Sequence, residues 1–173
     1  MNDKKLLKNI VLIGLMGSGK TMISKALAKK LGIKRLCTDE MIEKREKRPI
    51  ARIVDENGWP YFRDQEHKAI KKISRQKAVV IDCGGGVVLN KENFDLLRKN
   101  GIIFYLKAKP EVIYNRLKAD TTRPLIQGPN PLARLKAIYK ERLPLYNQAD
   151  FIIDASDASI KGPVTEILQK VLA

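Results

Sequence analysis

The sequence predicts an α/β fold, a three-layer arrangement in which a five-stranded parallel sheet is covered by helices on both faces. Short apolar runs alternate along the chain with segments whose apolar residues recur at helical spacing. Strands that are separated by helices pair in parallel, and parallel sheets are buried on both faces. The length of 173 residues suits one compact domain rather than two, so we expect a single domain over 1–173.

The strands are predicted from short apolar runs, the first of which, KNIVLI, leads directly into a glycine-rich segment. The predicted strands are 8–13, 33–37, 78–82, 102–106 and 151–153. The first helix follows from the spacing of Ile23, Leu27 and Leu31, and Gly32 ends it.

The later helices are predicted from their boundary residues. Pro49 restarts the chain after the second helix, and Asn90 and Pro110 suit the first positions of two others. The predicted helices are 20–31, 39–47, 50–75 with a break near 57–58 and Pro60, 90–99, 110–117, 132–146 and 160–172. The segment 119–131 is polar and rich in Pro and Gly, which predicts a mobile loop.

The composition of the chain limits the compartments and the partners that we expect for the protein. No apolar run approaches the roughly 20 residues of a membrane helix, so we expect no membrane partner. Residues 1–14 look superficially like a signal peptide, but their apolar part is short and the glycine-rich segment has a better explanation. Cys37 and Cys83 are the only cysteines, which favours a reducing cytoplasm over a disulfide scaffold.

The formal charge of +15, from 34 Lys and Arg against 19 Asp and Glu, brings nucleic-acid binding into question. However, the lysines are scattered over the polar faces of predicted helices, and no aromatic-plus-basic pattern suggests base stacking. We therefore expect a solvated basic surface that helps to attract an anionic substrate, and no nucleic-acid partner.

Residues 14–21, GLMGSGKT, match the phosphate-loop pattern G-x-x-x-x-G-K-[ST] between a strand and a helix. Glycines let successive N–H groups face phosphate oxygens, and the helix start adds its positive dipole end. Lys20 can reach the β- and γ-phosphates, and the Thr21 hydroxyl can ligate Mg²⁺. We expect ATP or GTP here, and the candidate nucleotide-binding residues are Gly17, Ser18, Gly19, Lys20, Thr21 and Met22.

A second glycine cluster, Gly84, Gly85 and Gly86, follows the third predicted strand. The carboxyl ends of parallel strands share one edge of the sheet, where ligands bind. Glycines there let an acceptor molecule approach the backbone closely. A simple tight turn is the alternative.

The segments GLMGSGKT, TDEMIE, FRDQE, CGGGVV, RLKADTTRPLI and ERLPLY, in this order, resemble the shikimate kinases, over about 9–153. The resemblance implies a nucleoside-monophosphate-kinase-like P-loop fold with strand order 2-3-1-4-5 and a mobile lid over about 119–131. It implies transfer of the ATP γ-phosphoryl group to the 3-hydroxyl of shikimate, in aromatic amino-acid (chorismate) biosynthesis. We expect Mg²⁺ with ATP and a monomer.

The resemblance also implies roles for residues that bind the acceptor. They lie in an acceptor-binding segment of about 39–67 and at later positions in the chain. Asp39 matches the carboxylate that holds the acceptor hydroxyls, where it can accept a proton, although a helix cap is the alternative. Arg63 and Arg142 match the arginines that grip the shikimate carboxylate, which suits an Arg fork. The glycines 84–86 match the acceptor-site glycines of the family.

Two further arginines match the nucleotide side of the family pattern. Arg123, in the predicted lid, matches the arginine that closes over the phosphates and stabilises the transferring group, a catalytic role. Arg116 matches the arginine that stacks near the adenine, and a solvent-facing helix residue is the alternative. His67 is expected to be a surface helix residue.

The sequence departs from the family pattern at two places. Trp59 lies where the family often has a glycine–glutamate pair, which leaves the local loop shape open. Cys37-Thr38-Asp39 replaces a D-[ST]-D pattern, and a thiol is a poor partner for Mg²⁺. Asp82 ends an apolar strand as a Walker-B carboxylate does, so we hypothesise that it takes the outer-shell Mg²⁺ role. Alternatively, it caps the strand or pairs with a nearby lysine.

Two other functions remain open at this level. One is another small-molecule kinase of the same fold, such as a gluconate or nucleotide kinase, although FRDQE with three glycines favours a small polar acid as acceptor. The other is a basic protein that binds nucleic acid and uses ATP only as a switch.

Overall fold

The computed structural model describes residues 8–119 and 128–172. Five parallel strands form one sheet in the order β2-β3-β1-β4-β5, as the resemblance implied. The strands are β1 (Asn9–Ile13), β2 (Arg35–Cys37), β3 (Val80–Asp82), β4 (Gly101–Lys107) and β5 (Phe151–Asp154).

Seven α-helices lie in the described part of the chain. They are α1 (Lys20–Leu31), α2 (Thr38–Glu46), α3 (Ile50–Ile73), α4 (Lys91–Asn100), α5 (Pro110–Leu117), α6 (Pro131–Tyr146) and α7 (Lys161–Leu172). The predicted break in α3 is present as a kink at Gly58, where φ is 80° and ψ is 167°. The Asn90 cap is also present, since its side chain accepts a hydrogen bond from Glu92 N.

The second and third strands start two residues later than predicted. Gly32 has a φ of 63° and Ala78 a φ of 54°, so the backbone is left-handed shortly before each strand and the extended conformation begins only afterwards.

The strands alternate their side chains between two apolar layers. In β1, Val11 and Ile13 pack with α3, α4, α5 and α6, whereas Ile10 and Leu12 pack with α1 and α7. A smaller apolar cluster joins α2 to α3. Helices therefore cover both faces of the sheet, as predicted.

Parallel pairing brings the strand ends to one edge. Leu12 and Cys37 both align with Asp82 across neighbouring strands. The segments that follow β1, β2 and β3 are therefore adjacent in space, and they carry the phosphate loop, Asp39 and the glycine cluster. None of the helices in the described ranges combines the length and the apolar character that crossing a bilayer would require.

Candidate functional site

A cavity of about 860 Å³ opens at the carboxyl edge of the sheet. The phosphate loop lines one part of it, and α2, α3 and the turn after β3 line another. The predicted site residues along it are Gly17, Ser18, Gly19, Lys20, Thr21, Met22, Asp39, Arg63, Asp82, Gly84, Gly85, Gly86, Arg116 and Arg142. These fourteen residues come from segments that are far apart in sequence, and they share one space. Arg123 lies outside the described residues, together with most of the predicted lid.

The phosphate loop has the backbone that its glycines predict. Gly17 has a φ of 74°, and a Cβ there would lie 2.8 Å from Leu117. Gly19 has a φ of 95° and immediately precedes α1, whose first N–H groups face the cavity end of the loop. The loop therefore needs glycine for both its conformation and its packing.

The side chain of Lys20 is buried within this loop. Its Nζ donates hydrogen bonds to the carbonyl oxygens of Gly14 at 2.8 Å and Leu15 at 2.9 Å. The Ser18 hydroxyl is also buried and has no hydrogen-bond partner among residues 8–119 and 128–172. The loop can thus direct an ammonium, a hydroxyl and backbone N–H groups at a phosphate chain.

On the acceptor side, Asp39 lies in the first turn of α2 and reaches over Gly84. A Cβ on Gly84 would lie 2.6 Å from Asp39 Oδ1 and 2.9 Å from Glu66 Oε1. A Cβ on Gly86 would lie 2.2 Å from the guanidinium of Arg63. The glycines thus make room for the site's own side chains. The turn alternative also holds in part, because Val87 N donates to Gly84 O at 3.1 Å.

The helix-cap alternative for Asp39 is wrong, because α2 begins at Thr38 and Asp39 is already inside it. The Thr38 hydroxyl instead accepts a hydrogen bond from Gly84 N at 2.8 Å. This bond joins the start of α2 to the glycine turn, and it holds Asp39 against that turn.

Glu66 is a site residue to which the sequence analysis assigned no role. Its side chain is 1% exposed and accepts a hydrogen bond from Arg63 at 2.8 Å. Burial raises the pKa of Glu66, and the charge of Arg63 opposes that shift. The FRDQE segment contains both residues at i and i+3 of α3, a spacing at which opposite charges on a helix can pair.

Arg63 is also held by two rings. Its guanidinium carbon lies 5.2 Å from the ring centroid of Trp59 and 5.2 Å from that of Phe62. Both rings line the cavity. Trp59, the departure from the family pattern, thus forms part of the wall beside Arg63.

Arg142 approaches the same turn from α6. The residue is 5% exposed, and one guanidinium nitrogen donates to the carbonyl oxygen of Gly85 at 3.2 Å. Its Nε has no hydrogen-bond partner within the described ranges. Arg63 and Arg142 therefore present two guanidinium groups at one cavity, as a planar carboxylate requires.

Asp82 pairs with an arginine rather than a lysine. Its Oδ2 accepts hydrogen bonds from Arg35 at 2.7 Å and from the Ser24 hydroxyl at 3.2 Å, and Arg35 also contacts Glu40. No pattern in the sequence indicated a role for Arg35. Burial, and next the charge of Asp82, raise the pKa of the neighbouring Cys37 thiol to about 11. Cys37 is therefore a neutral thiol at neutral pH.

Arg116 joins the phosphate loop to the segment after β5. Its guanidinium donates to the carbonyl oxygens of Ala155, Ser156 and Asp157 at 2.9, 3.0 and 2.7 Å, and to that of Gly17 at 3.3 Å. These bonds place it at the nucleotide end of the cavity.

His67 lies away from the cavity. Its Nδ1 is 2.6 Å from Asn93 Oδ1 and its Nε2 is 3.2 Å from Glu92, so it joins α3 to α4. Within 8–119 and 128–172, no group of three His, Cys, Asp or Glu side chains could hold a metal by itself.

A family model described as shikimate kinase matches residues 16–172. A shikimate kinase of Thermodesulfovibrio yellowstonii is 46% identical over 164 residues, which is 95% of each chain. One of Caldanaerobacter subterraneus subsp. tengcongensis is 43% identical over 163 residues, 94% of this chain and 95% of its own.

Solved structures agree with these relatives. A shikimate kinase from Acinetobacter baumannii in complex with shikimate has a TM-score of 0.92 and 34% identity, over 96% of this chain and 93% of its own. A deoxyadenosine kinase from M. mycoides has a TM-score of 0.63 at 17% identity over 96% of this chain and all of its own, which shows a shared fold alone.

Proposed function

The chain belongs to the shikimate kinase family, and from that premise we propose that it transfers the γ-phosphoryl group of ATP to the 3-hydroxyl of shikimate. The observation that carries the proposal is the convergence of Arg63, Arg142 and Asp39 on a glycine turn beside the phosphate loop. The reaction product is shikimate 3-phosphate, an intermediate of aromatic amino-acid (chorismate) biosynthesis.

On the acceptor side, the two arginines bind the carboxylate of shikimate. Glu66 and the two rings hold Arg63 in place, so little side-chain freedom is lost on binding. Asp39 then orients the 3-hydroxyl and accepts its proton as the oxygen attacks phosphorus. Positioning of this kind supplies much of the catalysis in phosphoryl transfer, because the protein performs little covalent chemistry.

On the nucleotide side, the phosphate loop and the start of α1 bind the phosphates, with Lys20 at the β- and γ-phosphates. Arg116 lines the cavity beside the phosphate loop, which supports a contact with the base. Arg123 completes the charge around the transferring group when the lid closes. Both Thr21 and Asp82 line the cavity. Thr21 would hold Mg²⁺ directly, and Asp82 would hold it through water. Mg²⁺ neutralises phosphate charge when bound.

We also propose that the protein is a cytoplasmic monomer that binds no nucleic acid. One chain supplies residues to both the phosphate side and the acceptor side of the cavity, so a monomer would be sufficient for the reaction. The two cysteines are free and buried, which supports a reducing cytoplasm. The cavity can accept a small anionic substrate, and such a substrate accounts for basic residues without any nucleic-acid partner.

The test is ADP release by the purified protein with Mg-ATP, measured with shikimate, gluconate, a nucleoside monophosphate or no acceptor. We expect release that depends on shikimate and stays near background with the other acceptors. Equal release with gluconate or the nucleotide would overturn the assignment of the acceptor.

A further inference from the structure

The hydroxyl group of Tyr146 reaches the glycine turn from the core. Tyr146 is the last residue of α6 and is fully buried, and its hydroxyl donates a hydrogen bond to the carbonyl oxygen of Gly85. Its ring stacks on Tyr105 of β4, with centroids 4.9 Å apart and ring planes at 16°. The ring is thus fixed by packing, and the hydroxyl is directed at one backbone atom.

Only one side chain besides Tyr146 contacts that carbonyl in the described ranges, namely Arg142, one turn earlier on α6. Arg142 also serves the acceptor carboxylate in the proposed function, so its guanidinium divides its donors between this carbonyl and the acceptor. The hydroxyl of Tyr146 does not face the cavity, and it remains a constant donor. Burial raises the pKa of Tyr146 to about 12, so the hydroxyl stays protonated at neutral pH.

Holding the Gly85 carbonyl also orients a donor on the next residue. The peptide unit is planar and trans, so the N–H of Gly86 points opposite to the C=O of Gly85. The carbonyl points towards α6, and the N–H therefore points away from it. Three successive glycines have few conformational restraints of their own, so this peptide needs an external contact to keep one orientation.

The backbone N–H groups of the turn differ in their partners. Gly84 N donates to Thr38, whereas the N–H groups of Gly85 and Gly86 have no acceptor among the residues that the structure describes. Both glycines line the cavity. Gly86 is buried, and a buried N–H group nearly always has a partner, which indicates that a ligand accepts its hydrogen bond.

We propose that Tyr146 is a positioning residue for the acceptor: its hydroxyl fixes the Gly85–Gly86 peptide so that the Gly86 N–H faces the bound acceptor. The inference rests on the proposed function, since it assumes that the glycine turn belongs to the acceptor site. Tyr146 thus has two separate roles. Its ring packs in the core against Tyr105, and its hydroxyl positions the glycine turn.

Tyr146→Phe tests this, because it keeps the ring stack and removes only the hydroxyl. We expect KM for shikimate to rise about three- to tenfold, the effect of one neutral hydrogen bond, with KM for ATP unchanged. Calorimetry with ADP present should show the same loss of shikimate affinity. Tyr105→Phe is the matched control, since it removes a hydroxyl from the same ring stack and that hydroxyl interacts with Tyr139 rather than with the turn, and it should leave both KM values unchanged.

An unchanged KM for shikimate in well-folded Tyr146→Phe would overturn the proposal, and so would an equal rise in both KM values. The amide ¹H shift of Gly86 in the wild-type protein is a second test that needs no variant. It should move on addition of shikimate with ADP more than that of Gly162, and an unmoved Gly86 signal would also overturn the proposal. Wild-type protein that neither binds nor phosphorylates shikimate would refute the proposed function, and this inference with it.

Discussion

The two halves of the cavity are built in different ways. The phosphate side comes from one short segment, 14–21, and most of its donors are backbone groups placed by glycines at positive φ. The acceptor side gathers side chains from α2, α3 and α6 around the turn after β3. Its residues are far apart in sequence, and each is held by a further contact within the protein.

This difference predicts how each half responds to substitution. A contiguous loop binds a group that many kinases share, so damage there should reduce the chemical step whatever the acceptor. An assembly of side chains can select one acceptor, so damage there should raise KM for shikimate and leave nucleotide binding intact. Four substitutions test that division, and they are ordered from the largest expected effect to the smallest.

Lys20→Ala should reduce kcat by about a hundred- to a thousandfold, because it removes the ammonium from the transferring phosphates. Circular dichroism and thermal unfolding should show an intact fold. Lys25→Ala, an exposed lysine of the same helix, is the matched control and should keep full activity. Turnover near the wild-type level in folded Lys20→Ala would end the assignment of this loop as the catalytic phosphate site.

Arg63→Ala should weaken shikimate binding by about 2–3 kcal/mol, the usual value of a charged hydrogen bond, with little change in KM for ATP. It also leaves Glu66 buried without its counter-charge, so thermal stability should fall. Arg52→Ala, on the same helix with a side chain that is 70% exposed, is the control for both readouts. Equal weakening of the two substrates would contradict the carboxylate-binding role.

Gly84→Ala should lower kcat/KM for shikimate about tenfold, because the new methyl group would lie 2.6 Å from Asp39 Oδ1 and must displace that carboxylate. ADP binding, measured by calorimetry, should not change. Gly162→Ala is the matched control, since its Cβ would meet nothing within 4 Å. Normal acceptor kinetics in Gly84→Ala would show that the turn tolerates side chains and that Asp39 is not held against it.

The phosphate side could be predicted almost completely from the sequence, because its function depends on a local backbone conformation that a short glycine pattern encodes. The strand order and the acceptor residues Asp39, Arg63 and Arg142 required the family resemblance, since their proximity is set by tertiary packing. Contacts that depend on burial, such as those of Glu66 and Tyr146 with the site, need the folded structure. Arg35 escaped prediction because nothing in a three-residue strand shows which side chain will meet Asp82.

The corner between the two halves, at Cys37 and Asp82, gives the smallest expected effect. Asp82→Asn should raise the Mg²⁺ concentration for half-maximal activity about three- to tenfold, the effect of one water-mediated hydrogen bond to a charged group. Charge also contributes to this effect, because Asp82→Asn removes the negative charge of residue 82 and leaves the positive charge of Arg35 in place. Adding Cys37→Asp should recover much of the loss, since residue 37 aligns with residue 82 in the sheet and restores a carboxylate at the same corner.

The pairing of Asp82 with Arg35 supplies a competing explanation, in which the carboxylate only neutralises a partly buried guanidinium. The two explanations differ in what Asp82→Asn changes. If the carboxylate of Asp82 has only a structural role, Asp82→Asn would lower the melting temperature and leave the Mg²⁺ dependence unchanged, because Asp82 would then not contribute to Mg²⁺ binding. A carboxylate that holds Mg²⁺ waters would shift the Mg²⁺ dependence even where the fold is intact. Measuring both quantities in Asp82→Asn and in the double variant therefore decides whether this corner belongs to the phosphate side of the cavity or only to its support.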